Sequence, residues 1–172
     1  MNNNVEKIYW GHFFYRDWKI YLAVTDKGLC KILLPNESFN NLESWVTRYF
    51  PEASLIHDKT KLAHYILELE EYFSSKRKTF DFPLELKGTN FQRAVWKALL
   101  KIPYGTTKSY QDIAKEINRP KAVRAVGAAN RANPLPIVVP CHRVIGKDGN
   151  LTGFRGGLKL KEALLKLEGF NV

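Results

Sequence analysis

The sequence predicts an α+β fold in two parts. A small N-terminal α/β domain occupies residues 1–87, and a mainly helical C-terminal domain with a helix-turn-helix occupies residues 88–172. Three observations carry this. Segments rich in β-branched and aromatic residues open the chain, and helical-period segments follow them. Pro83 and Gly88 then punctuate the chain. Beyond Gly88, two short helical patterns flank a three-residue break.

In order, Ile8–Tyr15, Ile20–Thr25 and Leu29–Leu34 read as strands, and Asp26-Lys27-Gly28 reads as a hairpin turn. Ser38 caps a helix whose Phe39, Leu42, Trp45, Val46 and Tyr49 recur at helical spacing, and Pro51 ends it. A second helix is expected from about Thr60 to Phe73, with Leu62, Ile66, Leu69 and Phe73 on one face. In the second half, Asn90 is the expected cap of a helix from Phe91 to about Lys101. Ser109, with Asp112 three residues on, reads as a capping box opening a helix whose apolar stripe is Tyr110, Ile113, Ala114 and Ile117. Asn118-Arg119-Pro120 breaks it, and a helix from Lys121 to about Asn130 follows. Leu158–Leu167 reads as a last amphipathic helix that Gly169 stops.

The 172 residues are 45% hydrophobic, enough for a folded core. No apolar run approaches the ~20 residues that span a bilayer. Met1–Tyr9 has no apolar core of a signal peptide, so the expectation is a cytoplasmic protein with no membrane partner. Cys30 and Cys141 are then expected as free thiols. His12, His57 and His64 lack the pairing of a metal site, so no metal and no cofactor are expected. The net charge of +10 favours a polyanionic partner, although a soluble basic protein has the same balance. The helix after the break sharpens this. Lys121, Arg124 and Arg131 are expected on one side, at offsets of three and seven. Between them sit Ala122, Ala125, Gly127, Ala128 and Ala129, small residues that let a backbone approach a groove. A surface helix packed by its alanines has the same pattern.

The segment Asn133–Ile145 (NPLPIVVPCHRVI) is the most informative. Its three prolines forbid a regular helix, and Ile137-Val138-Val139 is apolar enough to be buried. Cys141 is therefore expected at the end of a stiff, buried, extended stretch. A free thiol has a pKa near ~8.5, and an imidazole such as His142 can take its proton. Neighbours on an extended chain point apart, so a turn or a bridging water is needed. Glu168 stands at the end of the last helix, where the macrodipole disfavours a carboxylate by ~0.3–1 kcal/mol. Orienting His142 would be a reason for that placement. Fraying into solvent is the other.

Pro140-Cys141-His142-Arg143-Val144, preceded by Asn133-Pro134 and by Arg124-Ala125-Val126-Gly127, resembles the active-site signature of the O6-alkylguanine-DNA alkyltransferases, the methylated-DNA–protein-cysteine methyltransferases. The resemblance runs from about Phe91 to Gly169. The N-terminal half resembles the family's ribonuclease-H-like domain only in size and pattern. What the resemblance implies is a winged-helix-like C-terminal domain that repairs DNA directly. It would move the alkyl group of O6-alkylguanine, with O4-alkylthymine as a second candidate substrate, onto Cys141 once per molecule. It would act as a monomer on double-stranded DNA in the cytoplasm, associated with the nucleoid when bound. It implies catalytic roles for Cys141, His142 (through a water), Glu168 and Asn133. Tyr110, Val144, Arg155 and Pro136 would hold the substrate. Lys121, Ala122, Val123, Arg124, Gly127 and Arg131 would contact DNA in the minor groove, with Arg124 filling the gap left by the flipped nucleotide. Arg155 follows Phe154 where some members have a small residue, which bears on pocket width. A helix-turn-helix regulator, a non-catalytic relative that flags alkylated bases and a Cys-His hydrolase are the competing readings.

Overall fold

Strands with apolar residues on both faces need cover on both sides, and residues 7–73 supply it over most of the sheet. In the computed structural model, which describes residues 5–172, β1 (Lys7–Tyr15) and β2 (Trp18–Thr25) pair antiparallel. β3 (Gly28–Leu33) pairs with β2 through a bulge at Ala23/Val24. α1 (Phe39–Tyr49) begins after Ser38, whose backbone N–H donates to Asn41 Oδ1 at 2.8 Å. β4 (Ser54–His57) then returns parallel to β1, giving the order β3-β2-β1-β4. The sequence pattern missed β4, because four residues are too few for an alternation to register.

Side-chain parity divides the cover. Ile8, Ala23, Cys30 and Leu33 form a cluster with Leu42, Val46 and Phe50 on the α1 side. The odd residues of β1 face α2 (Lys59–Phe73), where a side chain on Gly11 would meet Leu62 and the Tyr15 ring stacks on Phe73 at 4.5 Å. Asp58 caps α2 by accepting from Thr60 and Lys61.

These elements belong to a first compact unit that ends at Lys87, and a second begins at Gly88. In the second, α3 (Asn90–Leu99) is capped by Thr89, not Asn90. The Thr89 hydroxyl accepts from Gln92 N at 3.1 Å, and the Gln92 side chain returns a bond to Thr89 N. α4 (Tyr110–Glu116) has the expected Ser109–Asp112 capping box. α5 (Val123–Arg131) starts two residues later than expected, after the turn that carries Pro120. Lys121 therefore precedes the helix and does not share its face with Arg124. Both α3 and α4 pack on α5, and the buried Trp96 donates its indole N–H to Ala129 O at 2.8 Å. Two short parallel strands, β5 (Lys108–Ser109) and β6 (Val144–Ile145), precede the last helix, α6 (Leu158–Leu167). Among the described residues no helix is long and apolar enough to cross a membrane.

Candidate active site

The stretch from Asn133 to Pro140 is buried as expected, but it is not extended. Ile137 has φ +77°, a region a β-branched residue rarely enters, and Pro136 bridges Val139. Such strain persists only where the surroundings over-determine it. Asn133 supplies that: its Nδ2 donates to Val139 O at 2.8 Å and its Oδ1 accepts from Leu135 N at 2.9 Å. The chain thus turns back on itself and enters a single 3-10 turn, Cys141–Arg143. That turn is what places Cys141 and His142 in one buried site.

One turn earlier on the same helix end, Asn130 donates through Nδ2 to Cys141 O at 3.3 Å. The sequence reading passed over Asn130. Its signal was a polar residue among alanines on the inward face of α5, where it is 2% exposed. The end of α5 therefore grips the Val139–Cys141 backbone through two amides.

Glu168, the C-cap of α6, does not fray. It is buried, and its Oε1 lies 2.7 Å from His142 Nε2. Arg143 completes the arrangement, donating through Nε to Oε2 at 2.9 Å and through Nη2 to Oε1 at 3.0 Å. Its Nη1 donates to Ile102 O at 2.6 Å, and Gly105 N donates to Glu168 Oε2 at 3.0 Å. A side chain at Gly105 would meet Glu168 O at 2.8 Å, and its φ is +73°, so this approach requires glycine. A carboxylate with a guanidinium and a backbone N–H on it stays ionised and acts only as acceptor. His142 Nε2 must then carry the hydrogen, which makes Nδ1 the basic nitrogen. Arg143 was also missed, although it follows His142 directly. Burial holds the His142 imidazole below its ordinary value, against the pull of Glu168. Burial likewise raises the Cys141 thiol, opposed by a hydrogen bond from Asn133 and by the charges of Arg155 and Lys161. At rest the pair is a neutral thiol and a neutral imidazole.

Lys161 is a third group the sequence reading missed. It lies seven residues before Glu168 on the inward face of α6, between Leu160 and Leu164, and a lysine on an apolar stripe was the available signal. It is fully buried, and its Nζ donates to Val144 O and, at 2.8 Å, to Thr152 O. Burial brings it down to about 8.

A groove of about 500 Å³ runs between Tyr110, the exposed side of α5 and the 152–153 loop. Val123, Arg124, Gly127, Ala128 and Arg131 line it, while Lys121 and Ala122 lie on a separate depression with Asn118, Arg119 and Pro120. Tyr110 Oη donates to Thr152 O at 3.0 Å, spanning the groove. Arg155 Nη1 donates to Arg131 O at 3.1 Å, tying the loop to the end of α5. Cys141, Val144 and Pro136 are buried and do not line the groove. The Cys141 carbonyl accepts from Asn130 Nδ2 and from the Val144 N–H, and the Val144 carbonyl accepts from Lys161.

The family model described as the 6-O-methylguanine DNA methyltransferase DNA binding domain matches residues 90–170, and the ribonuclease-like domain of the same protein matches residues 8–86. The inducible methylated-DNA–protein-cysteine methyltransferase of Bacillus subtilis (strain 168) is 51% identical over 168 residues, covering 98% of this chain and 94% of that protein. The chain belongs to this methyltransferase family. The constitutive enzyme of the same organism is 51% identical over 156 residues, 86% of this chain and 94% of its own length. Among solved structures of the family, Mycobacterium tuberculosis OGT in complex with DNA is 39% identical, with a TM-score of 0.82 over 93% of this chain and 92% of that one. The α+β methyltransferase fold is thus shared along nearly the whole chain.

Proposed function

We propose that this chain repairs DNA by taking the alkyl group of O6-alkylguanine onto Cys141, in one irreversible turnover, as a cytoplasmic monomer acting on duplex DNA. The observation that carries the reading is the buried Arg143–Glu168–His142 chain beside Cys141, on a turn gripped by the end of α5.

The target carbon is buried in the base stack, so the nucleotide must leave the duplex, at a few kcal/mol. Arg124, exposed on α5, fills the gap, and Lys121 and Arg131 hold phosphates beside Ala122, Val123 and Gly127. The flipped base reaches Cys141 past the Tyr110–Thr152 hydrogen bond, which must open. Tyr110 then bonds the purine, Pro136 and Val144 bound the alkyl pocket, and the Cys141 and Val144 carbonyls accept from the guanine amine, the Cys141 carbonyl in exchange for a bond it now takes from Asn130 or Val144. The thiol proton passes, through a water, to His142 Nδ1, and Glu168 stabilises the imidazolium. The Sγ electron pair forms the S–C bond as the C–O6 bond breaks. That bonding pair goes to O6, which the Arg155 backbone N–H faces, and the proton taken up by His142 is balanced by one delivered to guanine, which returns the imidazole to its neutral form. Asn133 keeps the turn, and hence Sγ, in line. The product is a thioether that no group in the site cleaves, so the protein is spent.

Incubation with a duplex carrying labelled O6-methylguanine tests this. One label per protein molecule and no turnover is expected. Release of label with repeated turnover would refute the reading.

A further inference from the structure

We propose that the first unit carries a second nucleic-acid surface, a stacking platform for unpaired bases on the face of β1 and β2 that α1 leaves uncovered. The inference is independent of the alkyl-transfer reading.

The even residues of β1 share a face. Ile8 goes into the α1 cluster and Trp10 abuts Phe39, the first residue of α1, at 4.3 Å. Beyond Trp10 the helix has ended. His12, Phe14 and, from β2, Tyr21 continue as a row of rings, His12–Tyr21 at 5.5 Å and His12–Phe14 at 5.7 Å. His57 on β4 flanks Trp10 at 4.6 Å. Phe14 is 60% exposed, the highest exposure of any large hydrophobic side chain among the described residues, and it adjoins the other rings of the row.

Charge selects the occupant. Lys19, opposite Phe14, holds its Nζ 4.9 Å from the Tyr21 ring and 6.0 Å from the Phe14 ring, at the height where a phosphate would pass. Burial, then Lys19, Lys59 and His57, depress the His12 imidazole, so cations gather round the row. None of the four strands contains an Asp or Glu. Elsewhere in this unit Glu68, Glu71 and Asp81 lie on Arg77, Glu85 on Thr25 and Lys87, and Asp58 on the start of α2, while Asp17 stands exposed beside Arg16 in the turn between β1 and β2. Aromatic rings interleaved with cations on an open sheet bind single strands, because every unpaired base offers a π-face and its phosphates pair with the cations. A duplex hides those faces. A second copy meeting this face across a two-fold axis would set Lys19 near Lys19.

The test is a titration of the full chain with an oligothymidine of eight residues, followed by NMR and by anisotropy at two salt concentrations. Shifts at the Trp10 indole and at residues 12–21 are expected, with affinity falling as salt rises. The surface variant Phe14→Ser/Lys19→Glu should bind the oligomer about ten-fold more weakly or worse, as loss of a base stack implies. Its melting temperature and its reaction with free O6-benzylguanine should match the parent. Shifts confined to residues 110–131, or unchanged affinity in the variant, would overturn the proposal. So would a concentration-dependent dimer that the variant abolishes.

Discussion

The two units spend their polar residues differently. Residues 1–87 hold 12 Lys and Arg against 12 Asp and Glu, whereas residues 88–172 hold 15 against 5, so the whole +10 sits in the second unit. The buried polar groups divide the same way. In the first unit the Thr25–Glu85 bond fastens a loop to the sheet, Glu68 fastens another to α2, and Lys31 lies over the Trp45 ring. In the second, Asn130, Asn133, His142, Arg143, Lys161 and Glu168 are all buried, and all bond to or within the Val139–Val144 stretch or its partner Glu168. Burying a charge that only holds structure gains little over an apolar residue. Burying six polar groups around one short stretch gains a fixed nucleophile. The difference marks which unit does the chemistry.

Changes in the second unit should therefore cost more. Glu168→Ala leaves the Arg143 guanidinium buried without its carboxylate, which costs about 3–5 kcal/mol. Urea denaturation should register that loss, together with a collapse of alkyl transfer. If stability changes by less than about 1 kcal/mol, the buried charge chain is not what holds this site together. Arg124→Ala, on the exposed side of α5, should leave stability within about 0.5 kcal/mol. It should slow reaction with an alkylated duplex while sparing free O6-benzylguanine, which needs no flipping. Equal slowing on both would place the damage in the pocket instead. Asn130→Ala, with Asn133 intact, should cost about 1–3 kcal/mol, because it strips one donor from the buried Cys141 carbonyl.

Lys161 gives a pH signature. Its folded value, about 8, lies below its ordinary 10.5. Between these values the unfolded chain holds more protons here, so this group's contribution to stability rises with pH over that window. Below about 8 the cost of the buried ammonium is present in full. Lys161→Met should flatten the stability profile between pH 8 and 10.5. The smallest effect belongs to the first unit: Lys27→Ala, which removes an exposed partner 4.0 Å from Glu85, should change stability by less than about 0.5 kcal/mol.

How much was legible in the sequence follows from the range of each signal. Strands of six to nine residues and helices with capping boxes announce themselves locally, and β1 to β3, α1, α2 and α4 lie within a residue or two of their expected bounds. β4, β5 and β6, of two to four residues, do not. Glu168 stood out because a carboxylate at a helix C-terminus needs a reason. Arg143 and Asn130 did not, because their partners lie 25 and 11 residues away. The turn at Ile137 was unreadable, since φ +77° at a β-branched residue is imposed by Asn133 and never by local preference. Lys121 is expected on a helix face because the helix is expected to start directly after Pro120, whereas the turn there delays it to Val123.

The two cysteines offer the sharpest contrast between the units. Cys30 donates to Ala23 O at 3.3 Å, and burial and then Glu85 push its thiol far up. Cys141 is just as buried, but Asn133, Arg155 and Lys161 oppose that push. After reaction with a duplex bearing O6-methylguanine, peptide mass spectrometry should find a single added methyl group, wholly on the peptide containing Cys141. Methyl found on Cys30, or on no cysteine, would contradict the account.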